Sequence, residues 1–338
     1  MNKTPFISAV VPVRNGGEYI ARCLIALLES EYEEFEVIVV DDASTDNTVG
    51  VCRNTGAKII SLDRQSGPAA ARNRGAKSAR GDIVLFIDAD VVINNDTIEL
   101  IAKAFTENPD TSAVFGSYDD TPDAPDFISQ YRNLLHHYIH QRAKKDATTF
   151  WTGCGAIRKA VFEELGGFDE IRHPVPSMED IEIGLRMSER GYKIILDKNI
   201  QVKHLKRWGL CSLINTDIFQ RAVPWSRLIL ERKLLPRDLN LRFRDRFSTA
   251  LVGIIIIAVF IYLLGLITQT QIIANNYLLI TLLISFTAIL ILNRDLYLFF
   301  LRKRGAGFAL LSILMHILFY IYSGITFGVI WIRSKMQF

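Results

Sequence analysis

The sequence predicts an α/β protein with a doubly wound parallel sheet, followed by a C-terminal region of transmembrane helices. In the first part of the chain, short apolar runs alternate with segments of helical periodicity, as strands and their covering helices do. Polar clusters follow these apolar runs. Farther along, the stretches 247–293 and 305–332 contain no Asp, Glu, Lys or Arg, and an apolar run of about 20 residues can span a bilayer.

Each element of the N-terminal part follows from its own pattern. Apolar runs rich in β-branched residues predict strands, and apolar residues three or four positions apart predict helices. The predicted strands are 6–13, 35–42, 57–63 and 82–90, with helices between them at 16–30, 44–56 and 67–80. Ser44 is the expected N-cap of the second helix and Gly56 its C-cap.

The part of the chain after residue 90 is less regular. Its periodicity predicts a strand at 112–118 and a helix at 126–143. The segment 150–170 is expected to be a glycine-rich turn followed by a helix that ends at the Gly166–Gly167 pair. The segment 178–197 is expected to be a helix and then a strand.

The two uncharged stretches predict an integral membrane protein with three spans. The segment that precedes them is basic and contains Trp208 and Trp225, which is typical of an amphipathic surface segment. The expected domains are a soluble domain at 1–203, a membrane-surface segment at 204–246, and a transmembrane region at 247–338 with spans at 248–268, 277–293 and 307–332, the first two joined by a turn at 268–277.

Basic residues around the spans predict the topology. They precede the first span and lie between the second and third: Arg232, Lys233, Arg237, Arg242, Arg244, Arg246, Arg294, Arg302, Lys303 and Arg304. The positive-inside rule places these groups, and the soluble domain, on the cytoplasmic side of a cytoplasmic (inner) membrane. Arg333 and Lys335 fit this multi-pass topology badly, because three spans would leave them outside. Either this weak signal is overridden or the last segment is re-entrant.

The composition narrows the choice of partners. The formal net charge is only +3, too near neutral to predict nucleic-acid binding. The four cysteines have no metal-ligand spacing. The first apolar run is short and interrupted by Pro12 and Arg14, so we expect no signal peptide.

Polar clusters follow three of the predicted strands, as RNGG, DDASTD and DAD. In doubly wound sheets, ligands bind outside the carboxyl ends of the strands. The first strand is not followed by GxGxxG, which disfavours a dinucleotide-binding fold.

The DAD cluster predicts a cation site. Side chains alternate along a strand, so Asp88 and Asp90 are expected to project to the same face. Two close carboxylates repel each other unless water screens them or a cation lies between them. Mg²⁺ and Mn²⁺ prefer oxygen ligands and commonly use one or two carboxylates with the phosphates of a substrate.

Six segments in this order resemble glycosyltransferase family 2, in its membrane-anchored bacterial form. They are VVPVRN (10–15), VVDDASTD (39–46), GPAAARNRG (67–75), DAD (88–90), GCGAIRKAVFEELGGFDE (153–170) and MED (178–180). The resemblance implies a nucleotide-sugar-binding fold of the type called GT-A, with a mixed sheet.

The resemblance also implies a set of donor-binding residues. It places Asp41 and Asp42 against the base of a UDP-like nucleotide, with helix capping as the alternative. Arg72 would face the donor, unless it is merely solvated. The nucleotide set is Pro12, Asn15, Asp41, Asp42, Arg72 and Asp88. The implied metal ligands are Asp88, Asp90 and His204, for Mg²⁺ or Mn²⁺; a structural role is the alternative for His204.

Asp180 of MED resembles the catalytic base of the family. It would remove the proton from an acceptor hydroxyl while that oxygen attacks the anomeric carbon. The alternative is a carboxylate that only stabilises a helix N-terminus. The implied acceptor and sugar contacts are Trp151, Gly153, Cys154, Gly155 and Glu179, and core packing is the rival for Trp151.

Two later fragments are similar to the QxxRW motif of processive synthases, but neither matches it cleanly. HLKRW (204–208) has His in place of Gln, and QRAVPW (220–225) has Pro in place of Arg. Gln220, Arg221 and Trp225 therefore remain candidate acceptor residues.

The expected function is inverting, metal-dependent transfer of a sugar from a UDP-sugar to a membrane lipid or lipid-linked acceptor. A processive polysaccharide synthase is the alternative from the same class. A membrane nucleotide-sugar-binding protein without turnover is the alternative from another class, and the absence of Lys from RNGG disfavours a nucleotidyltransferase. The sugar, the acceptor and the oligomeric state are left open by the sequence.

Overall fold

The computed structural model describes residues 4–232, 243–268 and 275–336. The chain divides into two compact units, Met1–Gly209 and Leu210–Phe338. The first unit extends beyond residue 203 because its last strand runs to His204. Residues 204–209 therefore belong to the first unit, although they open the predicted surface segment.

The first unit is a sheet with helices on both faces. In chain order, its strands are β1 (Ile7–Val13), β2 (Phe35–Asp41), β3 (Lys58–Ser61), β4 (Ile83–Ile87), β5 (Val91–Val92), β6 (Thr111–Tyr118), β7 (Asp146–Ala147), β8 (Cys154–Arg158) and β9 (Lys193–His204). Its helices are α1 (Ile20–Leu28), α2 (Thr48–Arg53), α3 (Pro68–Ser78), α4 (Thr97–Glu107), α5 (Phe127–Gln141), α6 (Lys159–Glu164) and α7 (Glu179–Glu189).

The strand order in the sheet is β3-β2-β1-β4-β8-β6-β9-β5, with β7 on β9. The first four strands in this order are parallel, as the alternation of elements predicts. Beyond β4 the sheet is mixed, because β8 is antiparallel to both β4 and β6. The mixed sheet implied by the family resemblance is thus confirmed.

Two differences from the predicted elements affect the site. The segment expected to be a glycine-rich turn contains β8, whose Cys154 and Gly155 pair with Ile87 and Phe86. Helix α2 begins at Thr48 rather than after Ser44, because the Ser44 amide donates to the Asp41 carboxylate and its hydroxyl accepts from the Asn15 amide.

The core lies on both sides of the sheet. In β1, Val10 packs in one apolar cluster with Ile38, and Val11 packs in the other with Val39. Both faces of the strand are therefore buried, which is why β1 and β2 are continuous apolar runs instead of alternating ones. Polar side chains are placed where these strands end.

The second unit is helical in its described residues. After α8 (Leu210–Asn215) and a π-helical segment (Thr216–Ala222) come α9 (Val223–Arg232), α10 (Phe243–Ile267), α11 (Asn275–Leu292), α12 (Arg294–Arg304) and α13 (Ala306–Met336). The predicted spans overlap α10, α11 and α13, and their crossing of a membrane stays a prediction. Residues 233–242 of the predicted surface segment and 269–274 of the predicted turn lie outside the described residues.

Two of these helices, Phe243–Gly265 and Ala306–Met336, are by length and composition candidate membrane spans. A third candidate arises only if α11 and α12, which bend by 65° at a short break, count together. Asn293 stands at this break, fully buried. Its amide donates to the Ser248 hydroxyl at 3.0 Å and accepts from the Tyr320 hydroxyl at 3.2 Å.

Candidate active site

A buried arginine connects the two acidic motifs of the first unit. Arg72, on α3, is 5% exposed. Its Nη2 lies 2.8 Å from Asp88 Oδ1, and its Nη1 lies 2.8 Å from Glu179 Oε1. The planar guanidinium can hold two carboxylates at once, so the DAD motif after β4 and the MED motif at the start of α7 belong to one hydrogen-bonded cluster.

Asp180 is the residue that follows Glu179 in α7 and belongs to the same cluster. The Thr152 amide reaches Asp180 Oδ2 at 3.4 Å, and the Ile181 amide donates to Oδ1 at 2.7 Å. The next residue of the Thr152 loop, Gly153, accepts a backbone hydrogen bond from Asp88 at 3.4 Å. One short loop therefore contacts both acidic motifs.

The environment raises the pKa of Asp180 to about 7. Burial is the larger cause and the charge of Glu179 the next, while Arg72 opposes both. Burial also raises the pKa of Asp88, again against the opposing charge of Arg72. A carboxyl whose pKa lies near neutrality can take up a proton at physiological pH.

His204 lies beside Asp90 because of strand pairing. Val91 in β5 is opposite His204 in β9, and the Leu205 amide donates to the Asp90 carbonyl at 2.8 Å. His204 Nε2 is 3.4 Å from Asp90 Oδ2. Burial works to raise the pKa of Asp90, but the hydrogen bond and charge of His204 and the charge of Lys206 hold it below its usual value.

Two carboxylates and an imidazole are donor types that divalent cations use. His204 Nδ1 is occupied by Asn133 Oδ1 at 2.7 Å, so Nε2 is the nitrogen directed at the Asp90 carboxylate. An imidazole lone pair facing a carboxylate is unfavourable unless a proton or a cation lies between them. Within the described ranges, no group of three or more His, Cys, Asp or Glu side chains is arranged around a metal position. The residues that would supply ligand atoms to a cation here are Asp88, Asp90 and His204.

The predicted nucleotide-side residues form the neighbouring loops. Asp42 accepts from the backbone amides of Ser66 at 2.6 Å and Gly67 at 2.9 Å, while Asp41 accepts from Ser44. Both carboxylates thus organise turns at the sheet edge. Each retains lone pairs for a further donor, and their role toward a base stays a prediction.

Asn15 and Gly67 hold the two loops in shape. Asn15 has a positive φ of 50°, and its side-chain oxygen accepts from the Thr45 amide at 2.8 Å. It follows β1, in which Pro12 is paired with Val40. Gly67 has φ +91°, and a Cβ there would lie 2.3 Å from the Pro174 carbonyl oxygen, so only glycine fits at this position.

Trp151 packs within a group of aromatic rings. Its centroid is 4.9 Å from Tyr118 and 4.8 Å from His136. A Cβ on Gly153 would lie 2.2 Å from the indole, so this glycine makes room for the tryptophan. The ring is part-buried, and stacking on a sugar remains a prediction.

Cys154 and Gly155 lie in β8, beneath the loop. The Cys154 side chain is fully buried, and burial raises the pKa of its thiol to about 12. A Cβ on Gly155 would lie 2.1 Å from the Trp151 carbonyl oxygen. Strand pairing and packing account for both residues in this structure, and their contact with a sugar stays a prediction.

Gln220, Arg221 and Trp225 belong to the second unit. The first two lie in the π-helical segment, and Trp225 lies in α9. Arg221 Nη1 is 3.4 Å from Asp217 Oδ1. Their assignment to an acceptor site stays a prediction.

Three residues of the cluster were not predicted from the sequence. Asn133 holds His204, Tyr118 stacks on the His204 ring at 4.4 Å, and Lys206 acts electrostatically on Asp90. Of these three residues, Asn133 is the one that the sequence pattern could have indicated. It is a short polar residue among the buried, mostly apolar positions of α5.

Comparison with known proteins agrees with this geometry. Residues 8–166 match the model of the family described as "Glycosyl transferase family 2". The chain is 32% identical over 117 residues to the glycosyltransferase GlyG of Streptococcus pneumoniae serotype 4, covering 33% of this chain and 38% of GlyG. It is 39% identical over 108 residues to TarS of Staphylococcus aureus, named as a poly(ribitol-phosphate) β-N-acetylglucosaminyltransferase, covering 30% of this chain and 19% of TarS. The chain therefore matches well under half the length of these relatives.

The solved structure of the mannosyltransferase PcManGT from Pyrobaculum calidifontis, in complex with GDP-Man and Mn²⁺, is similar in fold. The TM-score is 0.58 at 18% identity, and the superposition covers 96% of this chain and 87% of PcManGT.

Proposed function

We propose that this chain, whose residues 8–166 match the family 2 glycosyltransferase model, is a glycosyltransferase of that family. We propose further that it transfers a sugar from a nucleotide donor, UDP-linked, to a lipid or lipid-linked acceptor with inversion at the anomeric carbon. The observation that carries the proposal is the cluster in which Arg72 joins Asp88 to Glu179, with Asp180 as the next residue. One cluster thereby contains the acids for both the donor side and the acceptor side of a transfer reaction.

A divalent cation would be held by Asp88, Asp90 and His204. The Mn²⁺ in PcManGT supports this part of the proposal. When bound, the cation would neutralise charge on the departing nucleoside diphosphate. Arg72 fixes the position of Asp88, while Asn133 and Tyr118 fix that of His204.

Asp180 is the proposed general base. The acceptor oxygen forms a bond to the anomeric carbon as the bond from that carbon to the diphosphate oxygen breaks, and the acceptor proton passes to Asp180. Amide donors at Thr152 and Ile181 hold the carboxylate in place. Because the attack comes from the face opposite the diphosphate, a single displacement inverts the configuration.

The acceptor is assigned to the membrane because two helices of this chain are candidate spans. The proposed location is the cytoplasmic membrane with the catalytic unit on the cytoplasmic side, supported by the basic end of α12, formed by Arg302, Lys303 and Arg304. UDP is proposed because a carboxylate such as Asp41 can accept the imide N–H of uracil.

The proposal is tested with full-length protein in detergent, labelled UDP-sugars and membrane lipid extract. We expect label to enter the organic phase with Mn²⁺ present, and EDTA to abolish the transfer. Absence of both transfer and metal-dependent UDP binding would refute the proposal. A long polymer in place of one added sugar would favour a processive polysaccharide synthase. Hydrolysis or transfer of the UDP-sugar would exclude a binding protein without turnover.

The pH dependence of kcat/KM is expected to report Asp180. Because its pKa is raised to about 7, the carboxyl is protonated below that pH and cannot act as a base. Activity should therefore rise with pH through an apparent pKa near 7. Glu179→Gln should move the rising part of this pH profile to lower pH, since the charge of Glu179 is the second cause of the raised pKa of Asp180.

Glu182→Gln is the matched control for this profile. Glu182 lies on the same helix, but its partner is Arg186 at 2.9 Å, and it is not among the groups that shift Asp180. The rising part of the pH profile should stay at the wild-type pH in this variant. An unchanged pH profile in Glu179→Gln would contradict the assignment of the rising part to Asp180.

A further inference from the structure

We propose that Tyr118 is a specificity-determining residue whose hydroxyl donates a hydrogen bond to a hydroxyl group of the transferred sugar. This inference rests on the nucleotide-sugar transfer proposed above. It concerns the last residue of β6, which lies outside all the motifs recognised in the sequence.

Strand direction places Tyr118 at the ligand-binding edge of the sheet. Strand β8 is antiparallel to both β4 and β6, so β4 and β6 run in the same direction. Tyr118 at the end of β6 therefore stands at the same edge as Asp88, which follows β4. Ligands of such sheets bind beyond the carboxyl ends of the strands.

The Tyr118 ring belongs to a continuous series of contacts that leads from Asp90 to Asp180. His204 Nε2 lies 3.4 Å from Asp90 Oδ2, and Tyr118 stacks on the His204 ring with the centroids 4.4 Å apart. Trp151 meets the Tyr118 ring edge-on at 4.9 Å, and the amide of the residue after Trp151 reaches Asp180 Oδ2 at 3.4 Å. The ring thus links the side of the site assigned to the cation to the side assigned to the base.

The Tyr118 hydroxyl lies in the electrostatic field of both acidic motifs. The carboxylates of Asp90, Asp88 and Asp180 all act on this hydroxyl, and Arg132 opposes them. The residue is half-buried. Within the described residues, Tyr118 forms hydrogen bonds only through its backbone, and its hydroxyl is not among the polar atoms sealed in the core. Its O–H group is therefore available to a ligand.

A sugar hydroxyl is the partner that suits this position. A phenol is uncharged near pH 7 and can donate a hydrogen bond, whereas ionised carboxylates only accept. In the proposed displacement, the anomeric carbon lies between the diphosphate near Asp88 and Asp90 and the attacking oxygen near Asp180. The transferred sugar must then occupy the space between these carboxylates, beside the Tyr118 hydroxyl. A sugar hydroxyl in this space accepts from Tyr118 and can itself donate to a carboxylate.

The surrounding contacts hold the phenol in place before a ligand binds. His137 Nδ1 lies 2.8 Å from the Tyr118 carbonyl oxygen, and Val202 is its partner in β9. The His136 ring lies 4.4 Å from the Tyr118 ring. A side chain fixed in this way loses little freedom on binding, so more of the hydrogen-bond energy is expressed as affinity. None of these contacts uses the hydroxyl, and Tyr118→Phe should preserve them.

The test compares Tyr118→Phe with the wild type as full-length protein in detergent with Mn²⁺. Calorimetry gives the affinities for UDP, UDP-glucose, UDP-galactose and UDP-N-acetylglucosamine. We expect Tyr118→Phe to bind UDP as the wild type does. For the UDP-sugar that the wild type binds most tightly, it should lose about 3- to 10-fold in affinity, the usual effect of one uncharged hydrogen bond.

Tyr192→Phe is the matched control. It also removes a phenolic hydroxyl from the first unit, but that hydroxyl is bonded to Glu164. All four affinities should be unchanged in this variant.

Deoxy derivatives of the tightest-binding UDP-sugar identify the partner hydroxyl. One derivative should bind the wild type about 3- to 10-fold more weakly than the parent UDP-sugar does. The same derivative should bind Tyr118→Phe as well as the parent does, because the hydrogen bond has already been lost. If every derivative weakens binding to both proteins by the same factor, Tyr118 has no partner on the sugar and the inference is wrong.

A Tyr118→Phe variant that loses equal affinity for UDP and for the UDP-sugar, or loses none for either, would also overturn the inference. The proposed function would stand in both cases. Wild-type protein that binds none of the three UDP-sugars would instead refute the proposed function itself.

Discussion

Asp180→Asn should bind UDP as the wild type does and should turn over at least about 100-fold more slowly, because loss of general-base help costs about 100- to 10,000-fold. The amide keeps the size of the carboxylate, and its oxygen can still accept from the Thr152 or Ile181 amide that now holds Asp180. It cannot take a proton. The loss should appear in kcat and kcat/KM alike, since the interaction matters in the transition state.

UDP affinity is measured by calorimetry with Mn²⁺, and turnover by release of UDP from the donor in the presence of lipid acceptor. Asp110→Asn is the matched control: Asp110 is an exposed carboxylate of the same unit, paired with Lys193 at 2.9 Å. Its turnover should be unchanged. A kcat near the wild-type value in Asp180→Asn would show that another residue acts as the general base.

The parts of the fold that periodicity governs could be predicted from the sequence. The strands β1, β2 and β4 are buried on both faces, so their residues are mostly apolar, and acids stand at the end of β2 and directly after β4. Asp41, Asp88 and Asp180 each stand at such an element boundary, where a short motif carries its own spacing. Local pattern was sufficient to place Asp41 and Asp88 at strand ends, whereas Asp180 was singled out by the family resemblance.

The contacts that complete the site depend on distant pairs and could not be predicted in this way. Arg72 and Glu179 are 107 positions apart, and Asn133 and His204 are 71 apart. Neither pair has a spacing that local geometry fixes. Strand β8 was missed for another reason: two of its residues, Gly155 and Ala156, have low strand propensity, and glycine is required at position 155 by the Trp151 backbone.

Arg72 illustrates how the structure changes the meaning of a predicted residue. The sequence predicted that Arg72 either faces the sugar donor or is solvated. In the structure, its guanidinium is buried and bonded to two carboxylates. Its first effect is to hold Asp88 and Glu179 near each other in spite of their like charges. Any contact with a donor phosphate would be added to that role and stays a prediction.

Arg72→Leu should accordingly destabilise the first unit strongly, because it leaves buried carboxylates without their cation. Removing one partner of a buried ion pair costs about 3–5 kcal/mol. We expect the lower end, since the Asp88 side chain is 32% exposed while that of Glu179 is only 7% exposed. For a unit of this size, about 3 kcal/mol corresponds to a fall in Tm of roughly 6–12 °C.

The measurement is thermal unfolding of the full chain in detergent, followed by tryptophan fluorescence. Arg80→Leu is the control, because the Arg80 side chain is 73% exposed. Its partner Glu36 is largely buried but would keep the hydrogen bonds that it accepts from the Ser8 hydroxyl and the residue-80 backbone amide. Arg72→Leu/Glu179→Leu should recover part of the loss by removing the more deeply buried unpaired carboxylate. If Arg72→Leu melts like Arg80→Leu, the two acidic motifs do not depend on the guanidinium to stay together, and the cluster on which the proposed site is built would have to be held by its backbone contacts alone.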